Sequence, residues 1–191
     1  MKKTIIILAC ALAAFTIPLL AAEPQAEEKT TVQPTIVTKK LRLAGYEGRI
    51  ELKDEYWPEM DTAKNALKAN LEQIKNKVQP VRPIGFWTGD PDVDYSDKAN
   101  HSRRMYFFCV EVSSLDEVPA GCIVRDLLES LFAVFREEVH GSAEKWEWLK
   151  ASEYCFNPEA APGDFEVFDD FEHIDIGSWE IWVPIRKKNN E

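Results

Sequence analysis

The chain has 191 residues, of which 45% are hydrophobic, with 23 basic and 33 acidic side chains for a net charge of −10. That length suits one domain with a real core. The acidic surface repels nucleic acid and removes the electrostatic contribution that drives most DNA binding; it concentrates cationic solutes, or simply keeps the protein in solution.

Residues 1–22 read as a secretory signal peptide. Lys2 and Lys3 form a positive start, Thr4 to Leu20 are almost wholly apolar, and Ala21-Ala22 offer small residues for cleavage before Glu23. An uncleaved membrane anchor is the alternative, because the apolar run approaches the ~18 residues that span a bilayer. Pro18 and the Ala-Ala-Glu-Pro exit favour cleavage, and Cys10 lies too near the start of the apolar run for a lipoprotein signal. The expected product is exported and periplasmic, with no membrane span once the signal is cut. Cleavage removes two lysines and no acid, which takes the charge to −12. Residues 23–34 are polar, lack aromatics and carry Pro24 and Pro34, so they read as a disordered tether.

From Thr35 a strand pattern appears, with Ile36, Val37, Leu41 and Leu43 running toward a turn at Gly45, then Ile50 and Leu52. A helix follows. Met60, Ala63, Leu67, Leu71, Ile74 and Val78 recur at spacings of three and four, a single apolar stripe. Pro58 and Glu59 suit its first turn, and Lys75 and Lys77 its last, ahead of Pro80. Two strands are expected around Val81–Thr88 and Arg103–Ser113. The loop between them holds Asp90, Asp92, Asp94 and Asp97. Its D-x-D-x-D opening is that of a calcium loop, but the glycine and the closing bidentate glutamate are missing, so a solvated turn cluster is expected and no metal.

Cys122–Leu128 and Leu131–Glu138 are strand-like, as one long bent strand or two short ones. Gly141-Ser142 opens a short helix that would carry Trp146 and Leu149 inward, Asp164–Asp169 and Trp179–Arg186 are closing strands, and 188–191 are a polar tail. The order is strand–helix–strand–strand twice over, an α+β fold of two β-α-β-β repeats. Cys109, Cys122 and Cys155 form no disulfide framework, being odd in number. A Cys109–Cys122 bridge across the intervening turn is open to an oxidising compartment; buried thiols are the expected state.

Alternation places the candidate chemistry. In 165–168 Glu166 and Phe168 share one face; in 179–185 Glu180, Trp182 and Pro184 share another. If the two strands pair as a hairpin, both glutamates are expected on one surface. A glutamate enclosed by rings has a raised pKa or a cationic partner, because burying the bare charge is costly, and such a site suits a lipophilic cation. Alternation alone favours the simpler reading, in which both glutamates sit on a solvated sheet face. His101, His140 and His173 have no metal spacing, no G-x-S-x-G or phosphate loop is present, and Cys155 has no visible base, so no cofactor is expected.

Four motifs in order carry a resemblance. They are YFFCVEVSSLDEVPAGCIVRDLLESLFAVFREEVHG (106–141), WEWLKASEY (146–154), DFEVF (164–168) and EIWVPI (180–185). Together they resemble the GyrI-like small-molecule-binding domain, also known as the AraC-type effector-binding domain, over about residues 35–187. The resemblance implies an antiparallel sheet with two helices on one face and a ligand cleft between pseudo-symmetric repeats. It implies ligand contacts from Glu166 as the central acid and Glu180 as the second, with Trp182, Phe168, Trp148, Tyr106, Phe108 and Trp87 as aromatic walls. Cys109 stands where relatives commonly carry a small residue, and Phe168 replaces a tyrosine. No helix-turn-helix is present in the chain, so it is not expected to act as a one-component regulator. The expected function is an exported binder of a small, largely apolar, cationic molecule. The alternative is a hydrolase of strained cyclopropyl rings, with Glu166 or Glu180 as general base. A protein-interaction module, as in the gyrase-inhibitor branch, is the third reading, although export would separate it from gyrase.

Overall fold

The computed structural model describes residues 33–51, 58–94, 96–100, 102–136, 142–172, 174 and 179–188. The signal peptide, most of the tether, Leu52, His101, Glu138, His140, Gly141, His173 and the last three residues lie outside them. From Thr31 onward the chain forms one compact unit. Its strands are β1 (Thr35–Lys39), β2 (Arg42–Glu51), β3 (Pro83–Thr88), β4 (Arg103–Glu111), β5 (Ile123–Asp126), β6 (Ser130–Arg136), β7 (Tyr154–Phe156), β8 (Phe165–Phe168) and β9 (Trp179–Lys187), with helices α1 (Pro58–Asn70) and α2 (Ser142–Ala151).

All pairings are antiparallel, in the order β1-β6-β9-β8-β3-β4-β2-β5, with β7 beside β9. The two repeats are visible in this order. β2-α1-β3-β4 pairs its first strand with its third and its third with its second, and β6-α2-β8-β9 does the same; β3 against β8 joins them. On the other side, β1 continues into β2 and β5 into β6, and the two bent runs pair with each other from end to end. The strands therefore form a closed circuit, which leaves few free edges. Lys40–Leu41 oppose Leu127–Glu129 at the bend, two residues against three, and the Leu127 N–H still donates to the Leu41 carbonyl at 2.9 Å. This is bulge geometry, and it turns Leu128 out to 68% exposure. Of the two sequence alternatives for 122–138, the chain forms two short strands, Ile123–Asp126 and Ser130–Arg136, separated at the bend.

Three expectations are corrected. Gly45 is no turn: it lies within β2 opposite Cys109, and a Cβ there would sit 2.2 Å from the Phe108 carbonyl oxygen and 2.5 Å from the Cys109 Cα. Close backbone approach, which only glycine allows, explains the residue. The α1 stripe does not run as one helix to Val78. The α-helix ends at Asn70, one 3-10 turn carries Leu71–Gln73, and Asn76 is left-handed at φ 57°. The Lys77 ammonium then satisfies the Leu71 and Ile74 carbonyls at 2.7 and 2.9 Å, the role expected of a basic residue at a helix end. In α2, Trp146 faces outward at 40% exposure, while Trp148 and Leu149 are buried. Lys145, Trp148 and Leu149 share one stripe by the three-and-four rule, and Trp146 falls outside it.

The sheet's two faces separate the core. The helix-covered face packs α1, through Ala63 and Leu67, on Ala44, Ile50, Tyr106, Phe108 and Val110. Full burial of a leucine such as Leu67 contributes about 1.5–3 kcal/mol. The same face packs α2 on Ala133, Phe135, Val183 and Ile185. The inner face gathers Leu43, Phe86, Phe107, Cys109, Phe132 and Phe165 inside the circuit.

Candidate functional site

The centre of the helix-covered face lies where β3 meets β8. Gly85 of β3 pairs with Phe108 on one side and Glu166 on the other. Without a side chain at Gly85, the ring of Tyr106 crosses the strand. A Cβ at that position would lie 1.9 Å from the Tyr106 hydroxyl and 2.6 Å from Cζ. The hydroxyl thereby reaches the carboxylate, donating to Glu166 Oε2 at 2.9 Å. Gly85 was not anticipated as part of the site. Its signal was there: a glycine inside a strand pattern marks close approach of another group.

Aromatic rings surround this pair. Trp87 meets Tyr106 edge-on at 5.0 Å, Tyr106 stacks on Phe108 at 6.2 Å, and Phe108 lies 6.1 Å from Phe168. Tyr106 and Phe108 are fully buried and Phe168 nearly so, whereas Glu166 and Trp87 are half-buried. The tyrosine and Phe108 are therefore a floor, and the glutamate and Trp87 stand nearer the surface. Burial pushes the Glu166 carboxyl above its ordinary value, against the pull of the Tyr106 hydrogen bond; nearby Asp164 raises it further, and Lys64 and Lys145 lower it. Lys64 belongs to α1 and Lys145 to α2, so both helices act electrostatically on this one carboxyl. Lys145, itself 12% exposed in its side chain, forms an ion pair with Asp164 that ties α2 to the chain just before β8.

The other expected residues are placed elsewhere. The register of β8 with β9 pairs Val167 with Glu180 and Phe165 with Trp182, so Glu180 and Trp182 lie on the inner face, opposite Glu166. The shared surface expected for the two glutamates is thus corrected. Direct partners share a face, and Glu166 faces Ile181 across the ladder. Glu180 accepts from Arg82 Nη1 at 2.8 Å and from the Trp182 indole at 3.0 Å. Arg82, also missed from sequence, further holds the Phe168 and Val167 carbonyls at 3.1 Å each and Asp169 at 3.0 Å. Trp148 lies under α2, edge-on to Phe135 at 5.6 Å and stacked on Tyr154 at 5.9 Å.

The aspartate loop is not uniformly solvated. Asp90 is 6% exposed, lies 3.3 Å from Arg49 Nε and accepts the Asp92 N–H at 3.0 Å. An arginine from β2 neutralises it, and no group of three or more potential metal ligands exists among the described residues. None of the described helices is long and apolar enough to cross a membrane. Cys109, Cys122 and Cys155 are free thiols, and burial raises both Cys109 and Cys122.

Comparison with known proteins identifies the family and the fold. Residues 35–185 match the Cass2 family, described as integron-associated effector binding protein. No curated protein matches the chain. Among solved structures, the chain is similar to an uncharacterized conserved protein from Listeria innocua, with 14% identity and a TM-score of 0.50 over 82% of this chain and 93% of that one. It is also similar to the C-terminal domain of EcmrR, with 11% identity and a TM-score of 0.53 over 81% and 99% of the two chains. Against EcmrR in its DNA complex the values are 10% and 0.58, over 85% of this chain and 60% of that one. At these identities the likeness is one of fold.

Proposed function

The chain belongs to the Cass2 family of integron-associated effector binding proteins, and from that premise we propose that it binds a largely apolar, cationic small molecule at Glu166. The observation that carries the reading is a desolvated carboxyl set among aromatic rings at the junction of the two repeats, with a tyrosine hydroxyl as its short-range partner. A carboxylate that has lost its water is stabilised by a cation brought to it. Rings beside it add cation–π attraction and accept the ligand's apolar body. Trp87 and Phe168 are the walls nearest the surface, and contact with Tyr106 and Phe108 requires their rings to move.

The test is a thermal-shift titration with tetraphenylphosphonium and with triphenylphosphine oxide, a neutral molecule of similar shape. A ligand at about 100 times its Kd adds about 2.7 kcal/mol of stability. The cation is expected to raise Tm in the wild type and to lose most of that effect in Glu166→Gln. An equal shift for the neutral molecule, or an unchanged shift in the variant, removes Glu166 from the role. Mass analysis of a cyclopropane-bearing electrophile incubated with the protein reads the hydrolytic alternative in the same experiment.

We also propose export through residues 1–22. The full chain expressed in a Gram-negative host should then be recovered from the periplasm with Glu23 as its first residue. Recovery with the original N-terminus intact overturns this.

A further inference from the structure

β8 divides two environments. Glu166 and Phe168 face the helices; Phe165 and Val167 face inward and, with Leu41, Ile84 and Trp182, wall a cavity of about 120 Å³. Lys39, Gln79, Arg82 and Glu111 form its polar lining, and Val78 and Pro80 border it from the segment before β3.

The charges at this rim are matched. Lys39 Nζ lies 2.6 Å from Glu111 Oε2 and 5.3 Å from the centre of the Trp182 ring. Arg82 is paired with Glu180 and Asp169, and Arg136 lies 3.6 Å from the second oxygen of Glu180. The two cations that line the cavity are thus each held by a half-buried carboxylate, Lys39 by Glu111 and Arg82 by Glu180. A ligand with net charge would have to break one of these half-buried pairs and leave its partner uncompensated, which is strongly unfavourable. A neutral ligand meets no such cost. The walls are two aromatic and three aliphatic side chains, so the ligand's body is apolar. The volume limits the body to a single small ring: apolar cavities of about 150 Å³ take up benzene, and this one is somewhat smaller, so a polar substituent has to lie at its rim. The Glu111 carboxylate has acceptor capacity beyond the one contact to Lys39, which suits a single O–H or N–H donor on the ring.

We propose that this cavity is a second binding site, for one neutral planar aromatic molecule of about phenol size carrying one hydrogen-bond donor. It lies on the face of the sheet opposite Glu166, and the inference does not rest on the cation reading of that residue. The two sites differ by charge balance: one holds a desolvated acid that favours cations, the other holds closed ion pairs that exclude them.

The test is a titration of the full chain with phenol, followed by protein-observed NMR, with benzoate as the charged ring of similar size. Phenol is expected to bind with saturable shifts, benzoate at least tenfold more weakly, and phenol binding is expected to be unchanged in Glu166→Gln. Val78→Trp, which fills the cavity from its rim, should weaken phenol at least tenfold. Should that variant fail to fold, a wild-type crystal soaked in 4-bromophenol decides the matter through the anomalous signal of bromine. Bromine between Trp182 and Val167 supports the site. Water alone in the cavity, benzoate binding as tightly as phenol, or full phenol affinity in a folded Val78→Trp protein overturns it. Absence of phosphonium binding to the wild type, with phenol binding intact, would refute the Glu166 reading and leave this one standing.

Discussion

Gly85→Ala tests the packing on which the Glu166 site depends. The added methyl would begin 1.9 Å from the Tyr106 hydroxyl and 2.6 Å from its Cζ, and Tyr106 is fully buried. Overpacking of this kind costs about 1–3 kcal/mol. Displacing the ring also breaks the 2.9 Å bond to Glu166, and hydrogen bonds to charged groups contribute about 1.5–3 kcal/mol. The expected loss is therefore about 2.5–6 kcal/mol, which at roughly 2–4 °C per kcal/mol for a domain of this size is a fall in Tm of about 5–24 °C. Urea unfolding of the wild type, Gly85→Ala, Tyr106→Phe and the double variant forms a cycle. Once the alanine has displaced the hydroxyl, removing that hydroxyl costs little more. The double variant should thus be about 1–2 kcal/mol more stable than the sum of the single effects implies. Strict additivity, or a Gly85→Ala protein as stable as the wild type, would refute the crossing of Tyr106 over Gly85.

Three further predictions address the charges and thiols. Because the Glu166 carboxyl is raised in the folded state above its ordinary value near 4.5, its contribution to stability is fully present below that value and is lost as pH rises through the folded pKa. Wild type should therefore lose stability relative to Glu166→Gln as pH rises above about 4.5, while phosphonium affinity should rise with it; a flat difference in unfolding free energy would contradict the burial of this acid. Arg82→Met removes the clamp on the Val167 and Phe168 carbonyls and leaves Glu180 with one short partner, so a loss of about 3–5 kcal/mol is expected in chemical unfolding, and a loss below about 1 kcal/mol would show the network to be dispensable. In thiol labelling, Cys122 and Cys155 are half-buried and should react in the native protein, whereas Cys109, fully buried with its thiol donating to the Ile84 carbonyl at 3.4 Å, should react only on unfolding. Native protection of both Cys109 and Cys122 that is lifted by reductant would reveal a disulfide instead.

Much of this arrangement is legible in the residues. The spacing of Ala63 and Leu67 gives the first helix and its buried side, though not its end at Asn70, and alternation within 165–168 places Glu166 with Phe168. The motif order gives the repeat and the family. Each of these is local: helix and strand periods fix which side chains of one element share a face, whatever the element packs against. Other features depend on partners distant in sequence. Gly45 reads as a turn until Cys109 lies against it, and Gly85 within a strand marks a close approach without telling that Tyr106 makes it. Arg82 gives no signal until β8 and β9 bring Glu180 and two carbonyls within its reach.

The two glutamates show the division most clearly. Within each strand, alternation correctly groups Glu166 with Phe168 and Glu180 with Trp182. It carries no information on how one strand aligns with the next. Pairing of Val167 with Glu180, one residue from the alignment that would have joined the two acids, sends them to opposite faces and makes one an isolated desolvated carboxyl and the other an ion-pair partner. A strand's period is two, so a one-residue change of register reverses every face, and register is set only when the whole sheet closes and its apolar side is buried.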